Sequence, residues 1–136
     1  MTAPASSPSR ILVRDLMSQP VLTVEVDETL WDAWQLLFVS GLRHLVVIDK
    51  LGHSVGVLSD RNILAEVPAT AEHLSAKHVA DVLARVPVAC ITPEADPREA
   101  ASVMAHSTTE AVPVVDANGK LIGIVTESDL VRWLGD

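Results

Sequence analysis

The fold is decided by a stretch that occurs twice, as HLVVIDKLGHSVGVLSDRN at residues 44–62 and as AVPVVDANGKLIGIVTESD at residues 111–129. Few residues are identical, but the glycines, the aspartate before them and the apolar positions align without a gap. The copies are 67 positions apart, as Gly56 and Gly123 are. Each unit is too small for a good core of its own, so the repeat predicts two units packed face to face.

Upstream of this stretch, the first unit shows a short strand and an amphipathic helix. Val21–Val24 has the β-branched residues of a strand, and the segment after it has helical spacing. Either Asp27 or Thr29 is the expected N-cap, and Gly41 the expected end. We expect the buried stripe of the helix to consist of Leu30, Ala33, Trp34, Leu37 and Phe38.

The second unit repeats this order of elements, which is β-α-β-β-α. Residues 87–91 take the position of the first strand, and Asp96-Pro97 marks the start of the helix. Asn118-Gly119 between two apolar runs predicts a type I′ hairpin turn. The last helix is expected over Glu127–Leu134. The buried stripe of the second unit's helix is expected to be Ala100, Val103 and Met104.

The repeat also predicts how the chain is organised. A polar and flexible tail at residues 1–10 precedes the first unit at 11–64. A connector with a helical piece, at 65–78, leads to the second unit at 79–134. The sequence thus predicts a mixed α/β fold built from two equivalent halves.

Composition restricts the class of partner. Hydrophobic residues make up 49 % and charged residues 21 %, as in folded globular domains. A net charge of −8 repels polyphosphate, so we expect neither nucleic acid nor an anionic membrane as partner. Neither a membrane helix nor a secretory signal is recognisable. The single cysteine, Cys90, fits a reducing compartment, so we expect a cytoplasmic protein with Cys90 buried and inert.

The sequence contains none of the common catalytic motifs. Gly-x-Ser-x-Gly, Walker A and Gly-x-Gly-x-x-Gly are all missing, so we expect no enzyme and no catalytic cofactor. A small hydrolase or metal protein is an alternative that only the histidines support. Because they are scattered and lack the spacing of ligands on one helix face, we expect no metal site. They are His44, His53, His73, His78 and His106.

The duplicated pattern resembles a tandem pair of cystathionine β-synthase-type (CBS) domains, a Bateman module, over Ile11–Leu134. The resemblance implies an α/β (α+β) architecture of two β-α-β-β-α repeats packed sheet to sheet with pseudo-two-fold symmetry. It also implies a homodimer and a regulatory ligand, which is AMP, ADP, ATP or S-adenosylmethionine. The motifs that carry it are Val13–Met17 with Pro20-Val21, Val46–Asp49, Pro113–Asp116, Gly56–Ser59 and Gly123–Thr126.

The family's nucleotide motif, Gly-h-x-Ser/Thr-x-x-Asp with h apolar, is intact in the second unit as GIVTESD at residues 123–129. Free N–H groups where a strand turns into a helix suit a phosphate, and Thr126 adds a hydroxyl. Asp129 can accept both ribose hydroxyls. The same Thr126-x-x-Asp129 spacing also fits a helix capping box, which needs no ligand.

The first unit departs from the motif, since it reads GVLSDRN at residues 56–62. Asn62 stands where the family has aspartate, and it offers one acceptor oxygen and no charge. The resemblance implies that each motif faces the other unit, which gives two clefts. The main cleft is expected to contain Thr126, Asp129, Gly123, Arg43, His44, Met17 and Val21. The second, weaker cleft is expected to contain Ser59, Asn62, Arg61 and Val88, together with Glu110, whose charge repels phosphate.

Several of these residues have a second interpretation. Arg43 and a protonated His44 suit a phosphate, but they also fit a solvated helix end and an ordinary strand residue. Trp34 is expected in the core. Trp31 lies off the buried stripe, as the centre of a dimer face or as a simple surface residue.

The resemblance as a whole implies a stand-alone regulatory CBS-pair protein. It would bind an adenosyl ligand in an inter-repeat cleft and change the state of its dimer or of a regulated protein that the sequence does not identify. The alternative is a ligand-free structural or interaction module that acts through its dimer surface.

Overall fold

The protein is described by a computed structural model over residues 10–83 and 89–135. The first repeat has the predicted β-α-β-β-α order, while a short helix that was not predicted precedes the first-strand position of each repeat. Within these ranges, no helix combines the length and apolar character needed to cross a bilayer. The elements are α1 (Val13–Leu16), β1 (Thr23–Glu25), α2 (Leu30–Ser40), β2 (His44–Ile48), β3 (Ser54–Ser59), α3 (Asp60–Leu64), α4 (Ala71–Ser75), α5 (Val79–Leu83), α6 (Pro97–Ser107), β4 (Ala111–Val115), β5 (Leu121–Thr126) and α7 (Glu127–Gly135).

The two repeats form two small sheets. In the first, β1 runs parallel to β2, and β2 pairs antiparallel with β3. In the second, β4 pairs antiparallel with β5, and the position of the first strand is taken by a single parallel bridge between Ile91 and Val114. Of the rest of the strand expected at 87–91, Ala89 and Cys90 are not in a strand, and residues 87 and 88 lie outside the described residues. The first strand of the first repeat begins later than predicted, at Thr23 instead of Val21.

The sheets pack against each other, as the repeat predicts. A cluster of buried residues from β2, β3, β4 and β5 lies between them. Each sheet also has its own core on the opposite face, covered by its helices, so the sheets are buried on both sides. The residues of the inter-sheet cluster are Val46, Val57, Ala111 and Ile124.

The first helix of each repeat packs on the other repeat. Val13 of α1 lies in the core of the second repeat, and its N–H donates to the carbonyl of Ala95 at 2.9 Å. Val79 of α5 lies in the core of the first repeat, and its N–H donates to the carbonyl of Glu28 at 2.8 Å. The repeats are therefore interlocked, since each completes the core of its neighbour.

Caps and turns follow the local sequence with one difference. Thr29, not Asp27, caps α2 by accepting the N–H of Asp32 at 3.1 Å. Gly41 ends α2 with φ 73°. At the second hairpin only Gly119 has a positive φ, 81°, so the predicted type I′ turn is wrong. The Gly119 N–H bonds to the carbonyl of Asp116 at 2.9 Å, and a bulge follows, which is a type I turn with a left-handed glycine.

Three burial predictions are wrong or only partly right. Phe38 is 82 % exposed, because α2 turns Leu30, Ala33 and Leu37 to the core and Phe38 lies at the margin of that stripe. Trp34 is half-buried at the same margin. Cys90 is exposed, because its neighbour Ile91 points inward and adjacent side chains in extended chain point to opposite sides.

Two glycines let the exchanged helices approach the sheets. A Cβ on Gly123 would lie 2.6 Å from Sδ and 3.0 Å from Cγ of Met17. A Cβ on Gly56 would lie 2.6 Å from Cδ1 of Leu83 but 3.5 Å from its Cγ. The two glycines occupy equivalent positions in the repeat. Only at Gly123 would the added Cβ lie too close to Cγ of the opposing side chain as well as to its outer atoms.

We therefore expect Gly123→Ala to destabilise the fold by about 1–3 kcal/mol, the usual cost of overpacking a filled site. Gly56→Ala should be nearly neutral, because the end of Leu83 can rotate away and the loss of glycine entropy in the unfolded chain compensates. Urea unfolding of both variants measures the difference. Equal losses would contradict this account of the two contacts.

Candidate functional site

A cavity of about 470 Å³ lies between the two repeats. The first repeat contributes the segment before β1 and the segment between α2 and β2. The second repeat contributes the end of β5 and the start of α7. Its lining residues are Ser18, Pro20, Val21, Leu22, Gly41, Leu42, Arg43, His44, Glu110, Ile124, Thr126, Glu127, Ser128, Asp129 and Arg132. We call this cavity the inter-repeat cleft.

One wall of the cleft is the segment before β1, which backbone hydrogen bonds tie to the second repeat. Ser18 exchanges hydrogen bonds with Ile124 of β5, at 2.8 Å from its N–H and 3.3 Å to its carbonyl. The Gln19 side-chain amide donates to the carbonyl of Ile122 at 2.6 Å. Met17 packs onto Gly123 just below. Of the residues predicted for this site, Val21 lines the cleft. Met17 and Gly123 are not among its lining residues and contact each other beside it.

Thr126 and Asp129 form a reciprocal capping box at the start of α7. Asp129 Oδ2 accepts the Thr126 N–H at 2.8 Å and its hydroxyl at 3.1 Å, and the Asp129 N–H donates back to Thr126 Oγ1 at 3.3 Å. Asp129 is only 7 % exposed. The capping interpretation is therefore correct for this motif, but it occupies one oxygen of the carboxylate.

The other oxygen, Oδ1, faces a residue that the sequence analysis missed. Arg132 Nη1 lies 3.4 Å from it, and the guanidinium is largely exposed. Two signals were available in the sequence. Arg132 follows Asp129 by one helical turn, and the equivalent position in the first repeat is Ala65.

The first repeat has the same cap with an amide. Asn62 Oδ1 accepts the Ser59 N–H at 2.9 Å and its hydroxyl at 3.0 Å, and the Asn62 N–H donates to Ser59 Oγ at 3.1 Å. Asn62 thus performs the capping role of Asp129. The substitution replaces only the second carboxylate oxygen, which becomes an NH₂ group. Val88, the remaining residue predicted for this cleft, lies outside the described residues.

Glu110 contacts Arg61, its predicted neighbour in the second cleft, but it is not confined to that cleft. It lines the inter-repeat cleft with Arg43, because the two residues occupy equivalent positions before β2 and β4, and those strands begin beside the same cavity. Arg61 Nη1 donates to Glu110 Oε1 at 3.0 Å. His44 Nε2 lies 3.8 Å from Glu110 Oε2.

His44 is neutral near pH 7, contrary to the expectation of a protonated side chain. Burial lowers its pKa from 6.5, and the positive charge of Arg43 lowers the pKa further. Glu110 opposes this shift without cancelling it. The side chain is 15 % exposed. In this part of the cleft the positive charge therefore comes from Arg43.

An apolar groove lies on the outer face of α2, away from the cleft. Phe38 and Val39 are each 82 % exposed, and the half-buried Trp31 and Trp34 form the floor. The equivalent face of α6 has Arg98, Ala101 and His106 in place of Trp31, Trp34 and Val39. The groove on α2 therefore has no apolar counterpart on α6.

In the described part of the chain, no three His, Cys, Asp or Glu side chains are grouped so as to hold a metal ion. The polar groups that the structure gathers in the cleft are suited to hydrogen bonds and ion pairs with an organic ligand.

Known proteins match the chain along most of its length. A family model for the CBS domain matches residues 13–69 and again residues 79–136. A CBS domain-containing protein from Dictyostelium discoideum is 31 % identical over 134 residues, which covers 92 % of both chains. An L-aspartate semialdehyde sulfurtransferase from Methanocaldococcus jannaschii is 29 % identical, but the match spans only 23 % of that enzyme.

Two solved structures have the same fold. A CBS domain pair in complex with 5′-methylthioadenosine and S-adenosyl-L-methionine is 26 % identical with a TM-score of 0.77, covering 93 % of this chain and 98 % of that one. The protein CBSX2 in complex with AMP is 32 % identical with a TM-score of 0.74, covering 90 % and 95 %. With two interlocked β-α-β-β-α repeats and a family match on each, the chain belongs to the CBS domain family as a tandem pair, a Bateman module.

Proposed function

We propose that this protein is a stand-alone regulatory CBS pair that binds an adenosyl ligand, AMP, ADP, ATP or S-adenosylmethionine, in the inter-repeat cleft. The observation that carries the proposal is the cleft itself, which gathers Thr126 and Asp129 from one repeat and Val21, Arg43 and His44 from the other. Its volume of about 470 Å³ is in the range of small-ligand sites. Related pairs solved with AMP and with adenosyl sulfur compounds support the same ligand class.

Three groups of cleft residues suit three different parts of such a ligand. Pro20, Val21 and Ile124 supply apolar surface for a base. Asp129, almost buried, has Oδ1 available for ribose hydroxyls once Arg132 is displaced. The side chain of Arg43 suits one anionic group. Ser59, Asn62 and Arg61 form the corresponding, weaker arrangement in the first repeat.

Binding would act by a shift of population. A ligand in the cleft touches both repeats, so it stabilises those conformations in which the repeats are held in this arrangement. The consequence appears at the dimer surface or at a surface for a regulated protein. We further propose that the chain performs no catalysis. Its enzyme relatives contain much additional sequence, since the match covers only 23 % of the sulfurtransferase.

The alternative is an interaction module without a ligand, and the apolar groove on α2 favours it. Both functions share one expectation, a homodimer in which the groove formed by Trp31, Trp34, Phe38 and Val39 is covered by the second copy. Aromatic side chains at the centre of an apolar patch are typical of such interfaces.

The ligand proposal is tested by thermal unfolding with AMP, ADP, ATP, S-adenosylmethionine and adenosine. At least one compound should raise Tm saturably, because a ligand that binds only the native state stabilises it by mass action. Asp129→Asn should then weaken that ligand by about 1–3 kcal/mol, since a buried hydrogen-bond partner of the ribose is lost. The Tm without ligand should hardly change, because an asparagine caps the equivalent helix in the first repeat.

Asn62→Asp is the matched control, as it makes the opposite change at the equivalent position. It should leave the affinity of the main cleft unaltered. Unchanged affinity in Asp129→Asn would overturn the ribose role of Asp129. A flat response to all five compounds, with folded protein free of bound nucleotide, would favour the interaction module.

The lowered pKa of His44 predicts a pH dependence of stability. Below pH 6.5 the unfolded chain takes up a proton on His44 before the folded chain does, so the unfolding free energy falls as the pH drops from 6.5 to the folded pKa. His44→Gln removes this contribution. Urea unfolding of both proteins at pH 7.5, 6.5 and 5.5 should therefore show a smaller loss in the variant. A loss that is equal in the two proteins would show that His44 is not buried as the structure has it.

The dimer expectation is tested by Phe38→Glu. Placing a charge in the groove should convert the dimer to a folded monomer, because a buried unpaired carboxylate is costly while Phe38 is exposed in the single chain. Leu51→Glu, at another exposed apolar residue, is the control and should leave the mass unchanged. Light scattering with size-exclusion chromatography gives both masses. A dimeric Phe38→Glu variant would move the interface elsewhere.

A further inference from the structure

The charges around the inter-repeat cleft nearly balance, with a small negative excess. Arg43 and Arg132 contribute two positive charges to its lining, and Glu110, Glu127 and Asp129 contribute three negative ones. His44 adds none near pH 7, because burial lowers its pKa. A site built for a chain of phosphates needs an excess of positive charge, and this cleft has none.

Glu110 is the carboxylate that is fixed in this lining by contacts from the other repeat. Arg61 holds Oε1 at 3.0 Å, and His44 lies 3.8 Å from Oε2. Arg61 reaches Glu110 from outside the cleft lining, and its own side chain is 73 % exposed. The guanidinium therefore holds the carboxylate in place but is largely screened by water, so it only partly offsets the negative charge inside the cleft.

Comparison of the two repeats shows how Glu110 alters the charge of the cleft. Its equivalent in the first repeat is Arg43, and both residues line the same cavity. Arg43 makes no ion pair with any residue in the described ranges, so it is available to one anionic group of a ligand. A second or third phosphate finds only Arg132 besides, which is largely exposed and screened by water, and it approaches Glu110 and Glu127.

On the basis of the proposed function, we propose that Glu110 is a specificity-determining residue that makes the cleft reject nucleoside di- and triphosphates. The favoured ligands are adenosyl compounds with at most one anionic group, namely a nucleoside, a nucleoside monophosphate or a cationic sulfonium derivative. Glu110 acts through its charge on the ligand.

The test is calorimetric titration of the protein with adenosine, 5′-methylthioadenosine, AMP, ADP and ATP, without divalent cations and at constant ionic strength. In the natural protein the affinity should fall at least tenfold from AMP to ATP. Glu110→Gln should reduce this AMP-to-ATP ratio several-fold and leave adenosine unchanged. Arg61→Gln should increase the ratio, because it removes the counter-ion and leaves the carboxylate.

Glu94→Gln is the matched control, since it removes the same charge from an exposed position outside the cleft lining. It should leave the ratio as in the natural protein. ATP binding as tightly as AMP would overturn the selectivity while leaving the adenosyl site intact. An equal ratio in Glu110→Gln and Glu94→Gln would overturn the role of Glu110. If neither these five compounds nor S-adenosylmethionine binds, the proposed function itself fails and the selectivity fails with it.

Discussion

The exchange of the first helices between the repeats is the constraint on which the rest of the structure depends. Val13 completes the core of the second repeat and Val79 that of the first, so neither repeat has a full core alone. The exchange also places the chain after α1 beside the opposite sheet, where Ser18 pairs with Ile124. The cleft between the repeats is therefore a direct consequence of how the two cores are closed, and it needs no separate folding element.

The two repeats are similar in backbone structure but differ in the charge of equivalent side chains. Both repeats have the same antiparallel hairpin register, the same cap at the helix after it and a glycine against the exchanged segment. The side chains that face the cleft differ in charge, as Asn62 differs from Asp129 and Arg43 from Glu110. Duplication thus supplies two equivalent positions for every contact, and a change at one of them alters the ligand chemistry without altering the core.

The sequence predicted the repeat, the β-α-β-β order of the first unit, the cap at Asp96 and the face-to-face packing, and it left the cap of α2 open between Asp27 and Thr29. These features rest on local motifs, on periodicity or on the 67-residue interval. The sequence did not predict the exposure of Phe38, which depends on how α2 is rotated on its own sheet. It also did not predict that Glu110 lines the inter-repeat cleft, which depends on how the repeats pack together. Both are set by long-range packing. The lowered pKa of His44 could not be predicted from the sequence either, because its main cause is burial, which depends on the same long-range packing.

The two interpretations of the Thr126–Asp129 motif, a helix cap and a ribose site, are compatible in the structure. The cap uses Oδ2 alone, and a neutral amide at Asn62 makes the same cap in the first repeat. A cap therefore does not require a carboxylate at this position. What the aspartate adds is Oδ1, a nearly buried charged oxygen whose only partner in the described ranges is the exposed Arg132. A buried charge costs stability unless it is well paired, and the ligand that we propose would give Oδ1 a further partner that the helix does not supply.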